Sequence, residues 1–150
     1  MRFILAMLAG MALVPGFARA TVLDDIIGQA ANDCAGYDNG VFELRSAPTE
    51  VDLTGDGLPE IILDEGTFSC STSASLYGGT GGSMIHVIKD GVDMTRLARG
   101  WTVYDWDGTQ VLLLYLHGSE CSGAGTQPCV EALVWGEAGF VSVRPPAASE

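Results

Sequence analysis

Between Val51 and Asp64 the chain reads Val-Asp-Leu-Thr-Gly-Asp-Gly-Leu-Pro-Glu-Ile-Ile-Leu-Asp. With Asp52 as position 1, side-chain oxygens recur at Thr54, Asp56 and Glu60, always at odd positions, and Leu58 offers its carbonyl between the last two. Gly57 permits the sharp turn that a Cβ would oppose. Hard oxygen donors at this spacing wrap around a cation such as calcium. Ile61-Ile62-Leu63 follow directly, so the loop opens into an apolar strand. A calcium there would be structural, since the loop supplies most of its ligands and leaves little room for a substrate. The competing reading is a solvated Asp-Gly turn without metal.

An EF-hand is excluded on two grounds. It needs a bidentate acid at position 12, where this chain has Leu63, and its flanks are helices, whereas these flanks are strand-like. The stretch instead resembles the DxNGDGxxD calcium loop of FG-GAP/VCBS-type repeats, over about residues 51–64. The resemblance implies Asp52, Thr54, Asp56 and Glu60 as side-chain ligands and Leu58 as the backbone ligand. Thr54 replaces the family's Asn or Asp, and Glu60 its Asp, which implies a looser site. The family repeats the loop once per propeller blade. This chain has it once, so the propeller is not carried over.

Other groups with chemical potential are sparse. His86 and His117 are the two histidines. A small hydrolase would take Ser83 or Ser119 as nucleophile, one histidine as base and Asp64 as orienter. No GxSxG elbow is present, and two structural histidines are the simpler reading. Asp64-Glu65 could serve glycoside chemistry, but adjacent strand residues point to opposite faces. Tyr77-Gly78-Gly79-Thr80-Gly81-Gly82-Ser83 lacks the Gly-Lys-Ser/Thr ending and following helix of a phosphate loop. It reads as a turn, or as a place where another backbone approaches closely. Trp106 lies in a turn between Asp105 and Asp107. It either anchors a partner from an exposed position or folds back onto a sheet.

The segments that must carry these groups are short strands. Residues 1–20 read as a signal peptide: Arg2, an apolar run from Phe3 to Val14, Pro15-Gly16, and a small-x-small site at Ala18-Arg19-Ala20. That run is short of the roughly 18–20 residues that spanning requires. Cleavage after Ala20 would leave 130 residues (150 − 20), and no cysteine near Ala20 could carry an acyl anchor. The whole chain carries a net charge of −12; without Arg2 and Arg19, five basic residues face 19 acidic ones, giving −14. Such charge repels nucleic acid and anionic lipid and suits a cation, a basic protein or simple solubility.

Cys34, Cys70, Cys121 and Cys129 form an even set in a chain read as exported, which points to disulfides. Four cysteines allow three pairings, of which the returning loop made by Gly123, Gly125 and Pro128 favours Cys121 with Cys129, and so Cys34 with Cys70. Zinc would call for CxxC or HxxxH spacing, which is lacking. Thr21 to Asn32 has helical spacing of apolar residues, with Asp24 and Asp25 in its first turn. From Val41 strands alternate with turns, with hairpins expected around Asp105–Gly108 and Gly136–Gly139.

The expected fold is therefore mainly β, an antiparallel sheet or small sandwich with one N-terminal α-helix, stabilised by disulfides. It would occupy residues 21–144 as a single domain, ahead of a frayed tail at 145–150. The expected function is a periplasmic or extracellular binding module without catalytic activity, with calcium as a structural ion, an acidic charge that suits a basic protein, and Trp106 as an anchor for a protein or sugar partner. The small hydrolase and a purely structural secreted domain are the alternatives.

Overall fold

A computed structural model describes residues 15–137 and 139–143 of the chain, with side chains from residue 21 onward. Helix α1 spans Pro15–Gly36. It extends beyond the expected Thr21–Asn32 at both ends. Proline suits a helix start, because its missing N–H would be unpaired there anyway. The remainder of the expected leader, residues 1–14, and the expected frayed tail lie outside the described residues.

Among the described residues eleven strands follow: β1 Phe42–Leu44, β2 Thr49–Val51, β3 Glu60–Asp64, β4 Phe68–Cys70, β5 Gly78–Gly79, β6 Gly82–Lys89, β7 Val92–Ala98, β8 Gly100–Trp106, β9 Thr109–Leu116, β10 Cys129–Gly136 and β11 Gly139–Val143. All pairings are antiparallel. The first sheet runs β2-β3-β6, with β7 on the far edge of β6 and β5 continuing the β3 side. The second runs β11-β10-β9-β8, and β1-β4 form a separate ribbon. Two tight hairpins have paired positive φ angles at Asp90-Gly91 (49° and 80°) and Asp107-Gly108 (52° and 83°). Asp-Gly is the sequence that such turns demand, because their twist matches that of the strands.

The core is layered by strand alternation. Ile62, Ile85, Val87 and Ala98 from the first sheet meet Leu112, Leu114, Leu116 and Leu133 from the second. Fully burying each leucine or isoleucine contributes about 2 kcal/mol relative to exposure. The opposite face of the first sheet turns Leu63 toward Ala30 of α1, with Phe68 beside them. Because β3 is covered on both faces, its sequence is a continuous apolar run rather than an alternating one.

Two disulfides fasten this arrangement, Cys34–Cys70 and Cys121–Cys129, with Cα separations of 5.5 and 5.7 Å. The first ties the end of α1 to β4. Tyr77 adds a second tie, donating its hydroxyl to the Ala30 carbonyl at 2.6 Å while stacking edge-on against Phe42 and Phe68. Both bridges fit an oxidising compartment. No helix among the described residues is long and apolar enough to cross a membrane.

The glycine-rich segment forms the β5–β6 hairpin. A Cβ on Gly82 would overlap the Ala98 carbonyl of β7, so the close backbone approach expected there is real.

Candidate functional site

The acidic loop joins β2 to β3, and Gly55 and Gly57 supply its left-handed turns at φ 75° and 84°. Asp52 braces it internally: one carboxylate oxygen accepts the Gly55 N–H at 2.7 Å, the other the Gly57 N–H at 2.8 Å. Glu60, the first residue of β3, is fully buried. Its Oε2 accepts the N–H groups of Leu53 at 2.8 Å and Thr54 at 3.2 Å. Leu58 points an exposed side chain outward, and its N–H donates to Asp56 at 2.8 Å.

An ammonium from outside residues 51–64 reaches this loop. Lys89 Nζ lies 2.7 Å from Asp56 Oδ2, 3.1 Å from Glu60 Oε1 and 3.4 Å from Thr54 Oγ1. Partial burial disfavours its charge, but hydrogen bonds to Asp56 and Glu60 outweigh this and hold the ammonium well above the ordinary lysine range. In turn Lys89, and then the Leu58 N–H, hold the Asp56 carboxyl below its usual range. Three of the expected ligand side chains, Thr54, Asp56 and Glu60, thus converge on one point, while Asp52 serves the turn.

A second cluster lies on the helix side of the first sheet. His86 is buried, with Nε2 3.0 Å from Glu65 Oε1 and Nδ1 2.8 Å from Asp93 Oδ2. Ionised carboxylates only accept, so both ring nitrogens must donate, which requires the imidazolium. Burial works against that charge, yet the hydrogen bonds and charges of Glu65 and Asp93 raise the His86 pKa overall. The resulting stabilisation is complete below the unfolded histidine pKa of about 6.5 and is lost as pH rises through the higher folded value. Melting midpoints from about pH 6 upward should therefore fall more steeply for the wild type than for His86→Gln, which has no imidazole to titrate. Parallel curves would show that the ring is not charged in the fold. Glu65 and His86 also border a cleft of about 520 Å³ beside α1, where Asp25 and Asp33 add further carboxylates.

The residues considered for a hydrolase fall into separate pairs. Ser83 donates to Asp64 at 2.7 Å, whereas His86 engages Glu65 and Asp93. His117 Nδ1 is 2.7 Å from Ser119 Oγ at the start of the 3-10 turn Gly118–Cys121, and its ring lies against Gly125. Asp64 and Glu65 have different partners, the former capping a 3-10 turn through the Gly66 N–H.

The remaining site feature is a surface. On the side of the second sheet away from the core, register aligns Thr102, Leu113, Ala132 and Val143 in one row. Tyr104 and Val111 continue with Val134 and Val141 in the next. Trp106 ends β8 opposite Thr109 and is 70% exposed; Tyr104 is 58% exposed. No acidic or basic residue occupies these rows, although Asp105 and Asp107 flank Trp106 in the chain. Of the two positions expected for Trp106, the structure has the exposed one. Among the described residues, helix α1 packs on the other sheet and does not cover this face. Set against known protein families, curated proteins and solved structures, the chain matches none.

Proposed function

We infer that this chain is an exported binding module that docks a basic protein on the outer face of its second sheet. The observation behind this reading is the uncharged row of exposed side chains, Tyr104 and Trp106 above all, in a chain whose net charge is −12. Contiguous exposed apolar surface marks interaction sites, and tryptophan and tyrosine dominate the binding energy of such contacts. Asp107, in the turn after Trp106, supplies an acidic edge, whereas Asp105 turns to the other face with Gln110; that edge favours a partner whose apolar patch carries lysine or arginine beside it. The disulfides and the signal-like residues 1–20 support export. The acidic loop serves this reading as a rigid entry to β3, whichever cation it holds.

The test uses immobilised wild-type and Trp106→Ser protein exposed to envelope proteins of the producing cells. The expected result is a basic protein retained by the wild type and bound about tenfold or more weakly by the variant. Equal retention by both, or a retained set without basic members, would remove the reading. Sedimentation of the purified chain separates the remaining case: a dimer lost in Trp106→Ser would assign the face to a second copy instead.

A further inference from the structure

We propose that the cation of the Asp52–Glu60 loop is the Lys89 ammonium itself, in place of calcium. The β3–β6 register pairs Ile61 with Ile88. One step further along the same antiparallel ladder puts Lys89 opposite Glu60, where cross-strand side chains meet. The lysine is the last residue of β6, immediately before the Asp90-Gly91 turn, so the hairpin fixes where its side chain starts.

The ammonium has three N–H donors, and Asp56, Glu60 and Thr54 take all three. Asp90 adds a third carboxylate at 3.5 Å, and the Trp135 ring centroid lies 5.4 Å away. The side chain is only 17% exposed, so this is a seated group rather than a passing surface contact. Calcium would need six to eight oxygens at roughly 2.3–2.6 Å around the same point. Two cations cannot share it. Asp52, the first ligand expected from the spacing, has each carboxylate oxygen committed to a loop N–H. The loop therefore keeps the shape of an ion-binding turn while a neighbouring strand fills its centre.

The two candidate cations separate in a melt of the full wild-type chain with calcium chloride and with chelator. The expected result is the same midpoint in both, because a ligand that binds the folded state alone must raise stability. A wild-type midpoint that climbs with calcium concentration overturns the proposal. Lys89→Met keeps the length of the side chain and removes the charge. In chelator its midpoint should fall by about 5 °C, and calcium should restore part of the loss, since Asp56 and Glu60 are then free to take the ion. A variant as stable as wild type in chelator overturns the proposal too. Should Lys89→Met not fold, the wild-type calcium series alone decides.

Discussion

Replacing Cys34 and Cys70 together with alanine should lower the unfolding free energy by about 4 kcal/mol, against about 2.5 kcal/mol for the Cys121 and Cys129 pair. The difference comes from the unfolded chain. The first bridge closes a loop with a sequence separation of 36, the second one of 8, and the longer loop removes more freedom from the denatured ensemble. A domain of this size has only about 5–15 kcal/mol in total, so the first loss is a large fraction of it. Alanine is the right replacement, because Cys34 is fully buried and a serine would add a hydroxyl there. Urea denaturation of the two double variants measures both values. Equal costs would place the effect in lost packing rather than in chain entropy. The folded side also makes the first bridge consequential: it pins the end of α1 where Ala30, Leu63 and Phe68 meet. Its loss should release α1 first, detectable as earlier proteolysis within residues 15–36.

Features set by neighbours in sequence were the ones that could be read in advance. Asp107-Gly108 and Gly136–Gly139 gave their hairpins, and the Gly-Pro-rich segment between Cys121 and Cys129 gave its bridge, because each depends on local backbone freedom. The β-rich class with one helix followed from the alternation of short apolar runs with turns. The strand Val92–Ala98 carries a weak signal, since its side chains alternate around Met94 and Arg96 without a continuous apolar set. Its place is fixed by pairing with β6 along its whole length, which only the hairpin at Asp90-Gly91 reveals.

The sites divide the same way. Asp52, Thr54, Asp56 and Glu60 stand out by spacing, but Lys89 lies 29 residues from Glu60 and reaches the loop through strand register alone. His86 likewise drew attention as one of two histidines, whereas its carboxylate partners come from 21 residues before and 7 after. The uncharged outer face of the second sheet is also a register effect. β9 reads as a continuous apolar run from Val111 to Leu116, which does not say which side is outward, and only pairing places Tyr104, Val111, Val134 and Val141 side by side. A spacing rule finds donors that are near in sequence; it has no access to a charge delivered by a neighbouring strand.

Glu60 is where the loop and the core are joined, and its replacement should be among the most damaging single changes in the chain. Glu60→Leu should cost about 3–5 kcal/mol, because it strips a buried charge from its partner and leaves loop donors unpaired. The Leu53 and Thr54 N–H groups lose their acceptor, and Leu53 is itself in the core between the sheets. Glu60→Gln keeps an acceptor oxygen for those donors and gives up only the charge toward Lys89, so it should cost less, about 1–2 kcal/mol. Denaturant titration of the two variants gives the order. Glu60→Leu in a Lys89→Met background then splits the effect. Part of the loss should be recovered, since no ammonium is left short of a counter-charge, and the remainder is the price of the unpaired loop N–H groups. Full additivity of the two substitutions would mean that Glu60 and Lys89 do not act as a pair. A Glu60→Leu cost below about 1 kcal/mol would mean that water reaches the Leu53 and Thr54 donors, and that the loop is held by Asp52 rather than by its tie to β3.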